Sequence, residues 1–89
     1  MNEKIIISSL AMDLKRVALG LYHKSPSAEV FKKEAFKRGE ELENFVKDTK
    51  AQKLWQKTKV VLKSNSDRTA EDALMYSTLF QNFVTKNWS

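Results

Sequence analysis

Cysteine is absent from the 89 residues. That removes disulfides, thiolate nucleophiles and cysteine zinc sites together, and it suits a reducing, cytoplasmic setting. Turn formers are scarce as well: Gly20, Gly39 and Pro26 are the only glycines and proline in the chain. Sheets and loop-rich folds need such residues every few positions, so long helices with short connections remain. Two isolated glycines cannot build a phosphate-cradling loop. His23 is the single histidine, and neither Glu-x-x-His nor His-Glu-x-x-His occurs, so the ligand spacings of di-iron bundles and zinc proteases are missing.

Long hydrophobic runs are missing too. Met1-Asn2-Glu3-Lys4 followed by Ile5-Ile6-Ile7 imitates the start of a signal peptide. The run stops at Ser8, and Asp13, Lys15 and Arg16 interrupt the residues beyond it, so neither a signal nor a membrane span is expected. The residues that are present are ordinary for a folded protein: 42% hydrophobic and 30% charged, with a formal net charge of +5. A single domain over residues 1–89 is expected, with one modest core.

Periodicity supplies the elements. At about 100° per residue, Ile6, Ile7, Leu10, Leu14, Val17, Ala18 and Leu21 share one face of a helix from about Lys4 to Tyr22. Ile5, Met12 and Leu19 form a second stripe on the opposite side. A helix apolar on two sides sits between neighbours or meets a partner chain. Ser25 is placed as an N-cap with Pro26 at the first helical position, opening a second helix to about Lys47. Its apolar face comprises Phe31, Ala35, Leu42, Phe45 and Val46 with Gly39, and Glu29–Lys33 and Glu43–Lys47 are spaced i,i+4 on the outside. Gly39 costs about 1 kcal/mol against alanine inside a helix, which points to a close backbone contact there. Arg38 is expected to snorkel, held by Glu34, while Phe36 and Trp55 read as packing residues.

The stripe changes phase near Asp48, so a break is expected there, capped by Asp48 or by a Thr49/Gln52 capping box. A third helix from about Lys50 to Lys63 then carries Ala51, Leu54, Trp55, Val61 and Leu62 on its apolar face. Residues 64–68 read as a loop, and Thr69-Ala70-Glu71-Asp72 opens a fourth helix whose apolar face is Ala73, Tyr76, Leu79, Phe80, Phe83 and Val84. The expected fold is all-α: a compact, mostly antiparallel bundle of about four helices.

Two surface features bear on function. From Ala73 through Thr85 the fourth helix has no charged residue; Ser77, Thr78, Gln81 and Asn82 fill its polar side, with Met75 at the edge and Trp88 beyond. Depletion of charge with enrichment of methionine and aromatics is the composition of a contact surface. Together with Ile5, Met12 and Leu19, these residues make a candidate protein interface, with a homodimer or another protein as the partner; burial within the chain's own bundle is the competing explanation.

The third helix, by contrast, carries no acidic residue, and Lys50, Lys53, Lys57, Lys59 and Lys63 form its basic stripe. Those lysines read either as a solvated face or as a sequence-indifferent contact to nucleic-acid phosphates or another anionic surface. Arg16, Arg38 and Arg68 are too scattered for base recognition, and the resemblance of this segment to a helix-turn-helix is weak. Membrane docking would need the Leu54/Trp55 side exposed, and that side is expected in the core. Paired carboxylates (Glu40 with Glu43, Glu71 with Asp72) read as solvated or salt-bridged, so no catalysis, cofactor, metal or small-molecule ligand is expected.

Overall fold

The computed structural model describes residues 2–64 and 66–88. Each helix starts or stops where a side chain can satisfy its loose backbone groups. Asn2 Oδ1 accepts from the Lys4 amide at 2.8 Å and opens α1 (Glu3–Tyr22). At its far end the Ser25 amide donates to Gly20 O at 2.8 Å and the Lys24 amide to Leu21 O at 3.2 Å. This is a Schellman motif whose left-handed position is filled by Lys24, at φ 52°, rather than by glycine. The assigned α2 (Ser27–Phe45) begins one residue later than Pro26, yet Pro26 already has helical torsions and Ser25 Oγ accepts from the Ser27 amide. Ser25 therefore works as the cap in substance.

The break near Asp48 is real. α2 ends at Phe45, two residues short of the expected Lys47, because Val46 turns extended and buries its own side chain. Phe45 is left exposed as a result, against the sequence expectation. Asp48 caps α3 (Thr49–Lys63), its Oδ1 accepting from Lys50 and Ala51. The Thr49/Gln52 capping box does not form. Gln52 Nε2 instead donates to the carbonyls of Leu42, Glu43 and Val46, tying the end of α2 to the start of α3. The Thr69 hydroxyl donates to Ser64 O at 2.8 Å and begins α4 (Thr69–Trp88). Met1 of the leader-like start and Asn65 of the expected loop lie outside the described residues.

Four helices and no strand occur among the described residues. The register is antiparallel throughout. Along α1 and α2, Gly20 meets Ala28, Asp13 meets Arg38, and Glu3 Oε1 accepts from the Lys47 amide. Along α2 and α3, Gly39 meets Trp55 while Gln52 reaches Leu42. Ser77 Oγ donates to Ala11 O at 2.6 Å, and Tyr22 lies beside Glu71, so α4 runs back along α1. α1 packs chiefly against α4 and α2, and α3 closes the ring between α2 and α4. The radius of gyration, 12.1 Å, is the value of about 12 Å expected for a folded chain of this length.

The core is centred on Ile6, Ile7, Leu10, Leu14 and Val17 of α1, with Leu42, Trp55, Leu62, Phe80 and Val84 around them. Trp55 is fully buried, its ring edge-on to Phe36 at 6.1 Å. Burying an indole removes about 150–250 Å² from water, about 4–6 kcal/mol of gross apolar stabilisation. It fits only because Gly39 has no side chain: a Cβ there would overlap the Trp55 ring. Leu79 departs from expectation, since it lies outside the core and is exposed. Thr58 takes a core position that periodicity missed, its hydroxyl donating back to Leu54 O at 2.7 Å.

Candidate functional site

α1 and α4 leave a shallow groove on the bundle surface. Ala11, Met12 and Lys15 form its α1 wall, and Leu74, Ser77, Thr78, Gln81 and Asn82 its α4 wall. Leu74 and Thr78 also border an adjoining hollow with Tyr22, Glu71, Met75 and Leu79, so the two form one continuous face. The antiparallel pairing thus brings together features that are far apart in the chain, Met12 of the second α1 stripe and the uncharged side of α4. Charged groups reach this face only through Lys15 and Glu71.

Most of the residues singled out from sequence stay accessible. Ile5, Met12, Leu19 and Met75 are 45–57% exposed, and Thr78, Gln81 and Asn82 are exposed beside them. Ser77 is the correction. It is 6% exposed and commits its hydroxyl to Ala11 O, so it holds α4 to α1 and is no surface contact. Trp88 is 37% exposed and sits edge-on to Phe83 at 6.0 Å, beyond the groove. Sequence reasoning missed Tyr22, Leu74 and Leu79, which add apolar surface to the face. The signal for Leu74 was available, since it falls a turn before Thr78 on the same flank; Leu79 was masked by fitting the apolar stripe equally well.

The basic stripe of α3 is divided by the fold. Lys50, Lys53, Lys57 and Lys63 are exposed. Lys59 turns to α2, its Nζ 3.5 Å from Glu43 Oε1, and Gln56 donates to the same oxygen at 3.2 Å. Partial burial pushes the Glu43 carboxyl up, but the Gln56 hydrogen bond and the Lys59 charge outweigh it, aided by the neighbouring Trp55 indole, and hold it below the ordinary glutamate value. The i,i+4 pairings expected on α2 give way to Glu29–Lys32 at 3.8 Å and Glu43–Lys59.

Between α1 and α2 lies the most buried carboxylate, Asp13. Burial raises its pKa above the ordinary aspartate value, and the nearby Arg38 and Arg16 only partly offset this. Arg38 Nε stands 3.7 Å from Asp13 Oδ2, outside hydrogen-bond reach, while Arg38 Nη1 contacts Glu41 at 3.3 Å. Its partners are therefore Asp13 and Glu41 rather than Glu34, because Arg38 turns inward to the α1 interface.

No family model, curated protein or solved structure matches this chain. Function must therefore be argued from these surfaces. Among the described residues no group of three or more His, Cys, Asp or Glu side chains is placed to hold a metal ion, and no helix is long and apolar enough to cross a membrane. The apolar side of α3 faces inward, with Ala51 and Trp55 fully buried and Leu62 2% exposed. An α3 lying on a membrane by that side would have to leave the core.

Proposed function

We propose that the protein is a small cytoplasmic interaction module that self-associates as a homodimer through the face between α1 and α4. The observation that carries this reading is the continuity of that face. Met12, Tyr22, Leu74, Met75 and Leu79 are exposed along it, with Leu74 and Thr78 shared by its two halves and Gln81 and Asn82 lining the half that holds Met12. Two copies each carrying +5 repel at long range, so they meet most readily where charge is lowest. Hydroxyl and amide groups both donate and accept, which makes this patch compatible with its own copy across a two-fold axis. A standard interface covers about 800 Å² per partner, a modest share of the 5737 Å² surface.

The test is light scattering coupled to size exclusion at tens of micromolar. The native chain is expected to elute as a dimer. Thr78→Lys is expected to elute as a monomer of unchanged helicity, because like charges brought together across an interface cost several kcal/mol. A monomeric native chain under these conditions sinks the reading.

A further inference from the structure

α3 has no carboxylate between Thr49 and Lys63, and α4 has none between Ala73 and Trp88. In the chain these are separate facts; the fold lays the two helices side by side. Lys50 of α3 and Lys86 of α4 line one shallow hollow with Asp48, Thr49, Phe83 and Asn87. Lys53 and Lys57 follow Lys50 at i+3 and i+7, which at about 100° per residue keeps all three on one flank, about 10 Å from first to last along the axis. All four side chains are exposed. Lys59, on the opposite flank, is engaged by Glu43, and Lys63 lies closer to that flank.

The carboxylates bordering this surface are engaged or distant. Glu43 is held by Gln56 and Lys59, Asp48 by the amides of Lys50 and Ala51, and Glu3 by the amide of Lys47. Asp72, the last acid of α4, precedes Lys86 by 14 residues, about 21 Å of helix.

We infer that Lys50, Lys53, Lys57 and Lys86 form a docking face for the phosphate backbone of nucleic acid, bound without sequence preference. Four lysine charges against the single carboxylate of Asp48, whose Oδ1 is taken by the amides of Lys50 and Ala51, leave a net positive face that complements a linear polyanion carrying one charge per about 1.7 Å of duplex axis. The face has no arginine, so it lacks the bidentate fork that reads guanine edges. A lipid surface fits less well. Amphipathic docking buries apolar side chains between the lysines, and here those of α3 point into the core; only Val60 is exposed on the outward flank. Lys50, Lys53 and Lys57 belong to α3, which does not line the α1/α4 groove, so either surface can fail alone; Lys86 lies one turn beyond Asn82 on the same side of α4.

Fluorescence anisotropy of a labelled 20-base-pair duplex, titrated from 20 to 200 mM salt, tests the inference. Four phosphate contacts give a log–log slope of about −3.6, so a tenfold rise in salt weakens binding by roughly three orders of magnitude or more. Lys53→Glu/Lys57→Glu is expected to weaken binding at 20 mM salt by at least about a hundredfold, and Lys53→Gln/Lys57→Gln to flatten the slope by about 2. Lys33→Glu/Lys37→Glu, on exposed positions of α2, changes the net charge equally and is expected to retain most of the affinity. Helicity of each variant is checked by circular dichroism, and the glutamine pair stands in if the glutamate pair unfolds. Absence of binding at 20 mM salt overturns the inference, as does equal loss in the α2 pair. Stronger retention on phosphatidylserine vesicles than on duplex assigns the face to lipid and overturns it as well.

Discussion

Gly39→Ala sets two effects of opposite sign against each other. Helix propensity favours alanine by about 1 kcal/mol in a helix interior. Packing opposes it, because the added methyl would overlap Cε2, Cζ2 and Cη2 of Trp55. These atoms belong to a rigid ring that is fully buried and backed by Phe36, not to the end of a flexible chain. Either α2 and α3 move apart or the indole is displaced. Overpacking a core costs typically about 1–3 kcal/mol, and losing a buried tryptophan costs about 3–5 kcal/mol. This overlap belongs at the upper end, so the net loss after the propensity gain is about 2–4 kcal/mol.

A domain of this size holds about 4–13 kcal/mol in all, so the variant should fold but melt early. At about 4–8 °C per kcal/mol, the expected fall in Tm is on the order of 10–25 °C. Urea and thermal melts followed by circular dichroism, at fixed protein concentration, read the loss. A double-mutant cycle isolates its cause: in a Trp55→Leu background the same substitution should be close to neutral, giving a coupling of about 2 kcal/mol or more. A Gly39→Ala variant that melts above the native chain would refute the close-approach explanation, since propensity alone would then have decided the sign.

Two further outcomes concern a helix end and the buried charge. Lys24→Gly should raise stability by about 0.5–1 kcal/mol, because the left-handed position costs an L-residue about 1–2 kcal/mol and glycine returns part of that as unfolded-state entropy; an unchanged or lower urea midpoint would remove strain at Lys24 from the account. Asp13 has a folded-state pKa above its unfolded value, so its contribution is fully present in acid and is lost as pH rises through the folded pKa. Asp13→Asn lacks that loss, and its stability relative to the native chain should improve as pH rises from below the ordinary aspartate value of 3.8 towards neutrality. Urea melts across that range check it, and a relative stability that worsens with pH would mean that pairing with Arg38 outweighs burial.

The helices were legible because their causes are local. The 3.6-residue stripe of α1, the Ser25-Pro26 start of α2, the phase change before Asp48 and the acidic first turn of α4 each act within a few residues. Gly39 announced a close approach by its propensity cost, though not that Trp55 would be the residue to fill the space. Leu79 and Phe45 carried the right spacing for burial and ended outside, since burial depends on whether a neighbouring helix stands opposite. The candidate surfaces divide in the same way. Charge depletion in α4 and lysine enrichment in α3 are properties of composition, readable without a fold. Ser77 facing Ala11, Lys59 turning to Glu43, Arg38 choosing Asp13, and Lys86 joining Lys50 are pairings across helices. Periodicity fixes which side of its own helix a residue occupies; only the packing of helices against one another decides what stands on that side.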